Sequence, residues 1–440
     1  MSAERTRGAR GRRTRVLRTG LLARVEGEGG LRVRVRDGRV RDVELRIFEP
    51  PRLFEPLLEG RDYREVPDLT ARICGICPVA YQMSAVQAIE RVCGVTVGGP
   101  LRELRRMLYC GEWIESHVLH VFFLHLPDFL GYDGVISMAA DHREVVETAL
   151  RLKKIGNRLV TVVGGREIHP VNVRVGGFHR VPERSDLLAL RDDLAWGRDA
   201  AADAVRRVAS LEFPDLTIDR PRVALRHPEE YPLTEGRIVS DRGLDIDVSK
   251  FDTEFIETHV ERSNALHSTH VRDGAYQVGP SARFALDADR LGDDAIGLAR
   301  EVGLEPDDRN PFRSIVVRSL ETFWAFGEAL RVIDRYRRPD RSAVTVEPRE
   351  GVGFGCTEAP RGICWHRYEL DRDGRVVAAR IVPPTAQNQA AIESDLRAFV
   401  EAHLDLPDDL LGLRCEQVVR NHDPCISCAT HALRVEIDRV

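Results

Sequence analysis

The chain has 440 residues, of which 43% are hydrophobic and 31% charged, with a formal net charge of −5. This is the balance of a globular protein with room for a large core, and its mild acidity speaks against a nucleic-acid-binding surface. No apolar run is long enough to span a bilayer, since the best one, Val118 to Leu130, is interrupted by His120, His125 and Asp128.

Residues 1–18 are rich in arginine, and the pair Arg12-Arg13 lacks the apolar segment that a twin-arginine signal needs behind it. They read as a disordered basic tail, which makes the cytoplasm the expected compartment. Leu31 to Arg36 alternates strictly, Asp37-Gly38 is a turn signal, and Val40 to Phe48 alternates again, predicting an antiparallel hairpin with one wet face. Pro50-Pro51 ends the sheet, and Leu53 to Gly60 reads as a short helical stretch carrying Glu55. Helical periodicity then predicts helices over 80–93, 101–126 and 139–163, a Gly-rich corner over 163–178, and a further helix over 186–211. Strands are expected near 222–226 and 237–240, and a helix over 311–336. A hairpin over 365–370 and 376–382 turns at Asp373-Gly374, and a helix covers 388–403. The expected class is mainly α with peripheral antiparallel β, an α+β fold around a long central helix bundle.

The chemistry-bearing stretches lie at opposite ends. Near the C-terminus, Asp423-Pro424-Cys425-Ile426-Ser427-Cys428 reads as a helix start, with Asp423 as cap and Pro424 in the first turn. Cys425 and Cys428 then share a face, where the helix dipole favours thiolates. A lone CxxC fits redox dithiols and half zinc sites equally. A second pair in Arg72-Ile73-Cys74-Gly75-Ile76-Cys77 allows a four-thiolate site. If the pairs share one site, the two ends meet and residues 19–431 form a single unit. The other five cysteines read as small apolar core residues.

Together with Arg24-Val25-Glu26-Gly27, Glu358-Ala359-Pro360-Arg361-Gly362, Val382-Pro383-Pro384-Thr385 and His431, these motifs resemble the large, catalytic subunit of nickel–iron hydrogenases, in the family's order and over nearly the whole chain. The form Cys77-Pro78-Val79-Ala80-Tyr81-Gln82 resembles the cytosolic NAD(P)-coupled, or sulfhydrogenase, branch. The resemblance implies the hydrogenase large-subunit fold and reversible heterolytic cleavage of H2 at a Ni-Fe(CN)2(CO) centre. Cys74, Cys77, Cys425 and Cys428 would hold the nickel, with Cys77 and Cys428 also bridging to iron. Arg361, Pro360 and Thr385 would surround the iron's ligands. Glu26 would take a proton from Cys425, and Glu55 with His431 would hold a second metal, magnesium or iron, joined by a carbonyl near Ile381–Val382. Ser116 stands where many family members carry an acid, which removes one anchor for the arginine region, and Tyr81 stands where others carry His. His117, His120, His125, His169, His267 and His270 read as core or relay histidines.

The chain carries too few remaining cysteines for an iron–sulfur relay of its own, and Gly27-Glu28-Gly29-Gly30 precedes a strand, unlike a dinucleotide fingerprint. The resemblance therefore implies an iron–sulfur small subunit docked near Cys74 and Cys77, flavin/NAD(P) diaphorase subunits carrying FAD beyond it, and a maturation endopeptidase that removes residues 432–440. The alternatives are a deazaflavin-reducing hydrogenase, a zinc-stabilised structural subunit, and a non-catalytic hydrogenase-derived subunit.

Overall fold

The computed structural model describes residues 2–7 and 13–430. Strands β1 (Ser2–Arg7), β2 (Arg13–Thr19), β3 (Gly29–Arg36) and β4 (Arg39–Ile47) form an antiparallel sheet in sequential order. The β3–β4 hairpin follows the alternation, and Asp37 and Gly38 both take positive φ, as a tight primed turn requires. The expectation of a disordered tail over 1–18 is corrected for residues 2–7 and 13–18, because β1 pairs with β2 and β2 with β3 from Thr14↔Arg36 to Thr19↔Leu31, while residues 1 and 8–12 lie outside the described residues. The inward positions of β2 alternate as well. Leu17 is buried, and Arg15 lays its stem inward while donating to the carbonyls of Leu404 (3.0 Å) and Leu406 (2.9 Å). A long arginine side chain can serve as an inward strand residue when its head finds acceptors.

Short helices α1 (Phe54–Leu58) and α2 (Val66–Ala71) lead to α3 (Pro78–Cys93) and α4 (Gly99–Val118). Beyond α4 the chain continues as a π-helical segment, Leu119–His125, within the expected helix. Helices α5 (Arg143–Gly164) and α6 (Arg191–Ala209) follow; the helix expected over 186–211 is broken at Ala189–Leu190. Between α6 and the next bundle helix, two small antiparallel sheets and α7 (Pro280–Asp287) occupy the stretch whose packing periodicity left open. Helix α8 (Ser314–Arg335) packs on α6 and α4, and α4 on α5, making the bundle.

The antiparallel sheet β5 (Gly351–Ala359), β6 (Gly362–Leu370) and β7 (Val376–Val382) lies against α3. Ala80, Ser84 and Ala88 repeat every four residues along α3 and let the strand backbone touch the helix. A Cβ on Gly353 would sit 2.1 Å from the Ala88 carbonyl, and one on Gly355 2.0 Å from that of Ser84. The Ser84 hydroxyl ties the layers, pairing with Thr357 Oγ1 (2.7 Å) and donating to the Cys364 carbonyl (2.8 Å). Helix α9 (Pro384–Ala402) begins four residues before its expected start. Helix α10 (Asp408–Asn421) was not anticipated, although Pro407-Asp408-Asp409 is a fair start signal. Both pack under the N-terminal sheet, where Leu31, Val33 and Leu45 share a core with Ile392, Leu396, Phe399, Leu411 and Val418. The N-terminal sheet and these two helices thus share one core. Replacing Gly355 with alanine should lower the unfolding midpoint by the equivalent of about 1–3 kcal/mol, the usual cost of overpacking. Thermal unfolding of the variant beside wild type measures this.

Candidate metal centre

Cys77 occupies the N-cap of α3, with Pro78 as the first helical residue. The preceding loop folds its amides around the Cys74 sulfur, which accepts from the N–H groups of Ile76 (3.3 Å) and Cys77 (3.1 Å). Cys425 caps a single-turn helix, α11 (Ile426–Ala429), which carries Cys428. The sulfurs lie 2.9 Å apart within each pair, and 3.5 Å separates Cys74 from Cys425 and Cys77 from Cys428. These separations exceed the ~2.05 Å of a disulfide bond, and all four cysteines are free and buried. Their ligand atoms lie within 4.8 Å of one another, and among the described residues this is the group of His, Cys, Asp and Glu suited to a metal ion.

The thiolate bias expected from the helix dipole for Cys425 and Cys428 is corrected for both. Burial pushes Cys425 well above the ordinary thiol range and Cys428 above it. The sulfurs of Cys425, Cys428 and Cys74, together with burial, raise Cys77 as well. Only for Cys74 is burial outweighed, by the other three sulfurs and by the charge of Arg361, so that it lies well below that range. Four thiolates so close cannot all ionise unless a multivalent cation neutralises them.

Glu26 closes the site from the other end of the chain. It bridges to Cys425 as a parallel β-contact, its carbonyl accepting the Ile426 N–H (2.9 Å). One carboxylate oxygen, Oε2, accepts both from the Cys425 thiol (3.1 Å) and from the Ser427 N–H (3.0 Å). Gly27, at φ +86°, makes this approach possible, since a Cβ there would lie 2.7 Å from that of Ile426. The Cys425 N–H donates to Thr385 Oγ1 (3.0 Å), leaving the threonine's own proton for another acceptor.

Arg361 sits in the two-residue turn between β5 and β6, where Ala359 pairs with Gly362. Its guanidinium is buried and donates to the Asp423 carbonyl (2.6 Å), Asp423 Oδ1 (3.0 Å) and Ser116 Oγ (3.2 Å). Ser116 therefore still anchors the arginine. Burial would favour a neutral guanidine, yet Asp423 and the cysteine sulfurs hold Arg361 firmly charged. Asp423 is not the helix cap it was expected to be. It adopts φ +51°, the helix begins at Ile426, and its carboxylate faces Arg361, with Oδ2 buried and unpartnered. The Pro360 carbonyl accepts from Arg283 Nη2 (2.9 Å).

Glu55, on α1, accepts the Ile381 N–H (2.7 Å) from β7. His431 lies outside the described residues, so only the Glu55 half of that expected pair is visible. Five other histidines serve the frame. The π-helical segment turns His120 onto the Arg420 carbonyl (2.7 Å) and His125 onto Asn421 Oδ1 (2.9 Å). His117 pairs with Glu321 (2.9 Å), His169 with the Ala71 carbonyl (2.7 Å) and His422 with Asp395 (2.7 Å). Sequence reasoning missed most of this frame around 420–423. Its members include Ser314 and Arg318, which both donate to the Asn421 carbonyl, and Asp128, which pairs with Arg24 and Arg420. These residues are scattered over distant helices, and no spacing marks them.

The chain is 33% identical to the sulfhydrogenase 1 alpha subunit of Pyrococcus furiosus, over 94% of its own length and 97% of that protein's. It belongs to the nickel-dependent hydrogenase family, as a large subunit. The family model, described as nickel-dependent hydrogenase, matches residues 52–149. The beta subunit of the NAD-reducing hydrogenase of Cupriavidus necator is 25% identical, with 94% of each chain covered. Among solved structures, an NAD+-reducing [NiFe]-hydrogenase in its H2-reduced state superimposes on this large subunit with a TM-score of 0.85 at 26% identity, covering 94% of this chain and 99% of that one. The donor set suits the family's metals, with four soft sulfurs, a buried guanidinium and an unpartnered carboxylate oxygen converging in one dry site.

The Asp128 hub ties the segment bearing Glu26 to the helix leading to Asp423. Burial alone would raise its carboxyl, but His125 and Arg420 hold it well below the ordinary carboxylate range. Because the folded value lies below the unfolded one, its contribution is complete above about pH 4 and is lost as pH falls through the folded value. Asp128→Asn should flatten the acid limb of stability below pH 4 and lower stability at pH 6. Denaturant unfolding across that range checks both.

Proposed function

We propose that this hydrogenase large subunit works in a cytoplasmic complex that passes electrons from H2 through an iron–sulfur small subunit to NAD(P). The observation that carries the catalytic part is the Cys425 thiol held 3.1 Å from the Glu26 carboxylate inside a closed four-cysteine site. When bound, a nickel–iron centre with cyanide and carbon monoxide on the iron supplies the splitting of H2 into protons and electrons.

In this reading Cys74, Cys77, Cys425 and Cys428 would hold the nickel, Cys77 and Cys428 would serve the iron as well, and the site's own side chains do the rest. Cys425 Sγ carries the departing proton, and Glu26 Oε2, 3.1 Å away, receives it. Arg361, with Pro360 and Thr385, lines the iron's ligands; its fixed fork supplies donors to anionic groups without reorganisation. Glu55 and His431 take magnesium or iron, Glu55 offering a carboxylate oxygen suited to a hard cation.

Electrons leave to other subunits, because the remaining cysteines are buried singly in the core. The small subunit docks near Cys74 and Cys77, FAD and the nicotinamide belong to diaphorase partners, and an endopeptidase cuts after His431. The NAD-reducing relative and the NAD+-reducing solved structure support NAD(P) as the acceptor in this reading. Complete cysteine pairs oppose a non-catalytic relative, and metal content separates the enzyme from a zinc-stabilised subunit.

The purified complex should contain nickel together with iron, reduce NAD(P) under H2, and show a chain ending at His431 by intact mass; zinc as its sole metal would end this reading. Glu26→Gln should keep the nickel and iron while slowing H2–D+ exchange by about 10²–10⁴-fold, the range of a lost acid–base group. Exchange at wild-type speed would remove Glu26 from the proton route.

A further inference from the structure

The most heavily satisfied side chain outside the cluster is Arg283, on the inner face of α7. It is fully buried, and all its guanidinium nitrogens donate. Nε and Nη2 form a fork on Glu321 (2.8 Å each) and Nη1 reaches Glu358 Oε2 (2.8 Å). The two terminal nitrogens also donate to backbone, Nη1 to the Ala359 carbonyl and Nη2 to that of Pro360, both at 2.9 Å. The indole of Trp113 covers the guanidinium face at 4.4 Å and donates to the Glu358 carbonyl (3.0 Å).

Those two carbonyls belong to the residues immediately before Arg361. The same helix controls the residue from its other side, since Gly279, just before α7 and at φ +108°, lies so close to the Arg361 carbonyl that a Cβ would sit 2.7 Å from it. Glu321 also accepts from Tyr231 (2.7 Å) and pairs with His117, the neighbour of Ser116, whose hydroxyl is itself a contact of Arg361. The two carbonyls preceding Arg361 are thus both held by one buried ionic cluster.

We propose that Arg283 is a positioning residue for Arg361: by gripping the Ala359 and Pro360 carbonyls it fixes the turn that aims the Arg361 guanidinium into the metal site. Buried ion clusters contribute little net stability compared with apolar packing of the same volume. What this cluster supplies is a rigid, directional fork. Lysine, with a point charge and three donors on a flexible stem, cannot hold two carboxylates and two carbonyls together. Glu321 matches this role, because it is held down to about 2 by Arg283 and His117 despite burial, whereas burial pushes Glu358 up to about 7.

This inference rests on the hydrogenase reading, and the test separates the two. The intact complex is prepared as wild type, Arg283→Lys, Arg361→Lys and the double variant. Each is measured for nickel and iron content, turnover per nickel, and the infrared bands of the iron's diatomic ligands. If wild type shows no such bands, the hydrogenase reading fails, whatever the variants do. With bands present, the expected result for Arg283→Lys is retained metal, turnover per nickel reduced at least tenfold, and bands shifted in the direction seen for Arg361→Lys. The double variant should be no slower than Arg361→Lys alone, because both act through one guanidinium. Unmoved bands with wild-type turnover per nickel, or losses that multiply in the double variant, would overturn the proposal. Should Arg283→Lys fail to assemble, Glu358→Gln, which leaves the arginine in place and replaces one of its carboxyl partners, is judged by the same band shift.

Discussion

The constraint on which the molecule depends is that four buried sulfurs must meet from places 351 residues apart in sequence. Neither pair can build the site alone, and neither is held by its own helix only. The C-terminal pair lies on a single turn, α11, too short to be stable by itself. Its amides are therefore satisfied from outside, by Thr385 at Cys425 and by Glu26 at Ile426 and Ser427. The N-terminal sheet packed on α9 and α10 follows from this need. It delivers Glu26 to the last turn of the described chain, and Arg420 locks the arrangement by donating to the Ala23 carbonyl (2.9 Å).

A second requirement is directional. Arg361 must stay charged where burial opposes charge, and it must keep one aim. Asp423 and the sulfurs supply the first condition. A two-residue turn, braced by Arg283 from behind and by Ser116 from the side, supplies the second. The close seating of β5 on α3 joins the two requirements, because α3 starts at Cys77 and β5 ends at the Arg361 turn. A shift of one layer against the other would move a ligand and the arginine together, which is how a rigid frame keeps a site's geometry within the fraction of an ångström that chemistry demands.

Much of this could be read in the residues, and the parts that could not share a cause. The hairpins and long helices were legible because alternation and 3.6-residue periodicity report which face is buried. The four cysteines, Glu26, Arg361 and Thr385 stood out by motif, and the structure brings all of them to one place. Asp423 was noticed for the wrong reason: Asp before Pro signals a cap in general, and here an arginine 62 residues upstream takes its carboxylate. β2 was mistaken for a tail because arginine at inward positions hides an alternating strand. Arg283, Glu321, Asp128 and Asp395 gave no signal, since isolated charged residues on amphipathic helices normally face water. Only tertiary pairing shows that these do not.

The protonation of the cysteine cluster links the two requirements to assembly. Burial raises Cys425 and Cys428, the neighbouring sulfurs together with burial raise Cys77, and Cys74 alone is lowered toward its thiolate. A metal entering the closed site must therefore expel protons, and the group placed to receive one is Glu26, already on Cys425 and already holding the turn through Ser427. Metal affinity should then rise with pH, as it does wherever ligands must deprotonate. The contact that fastens the C-terminal turn is also the contact proposed for proton transfer, so both roles fall on one carboxylate oxygen.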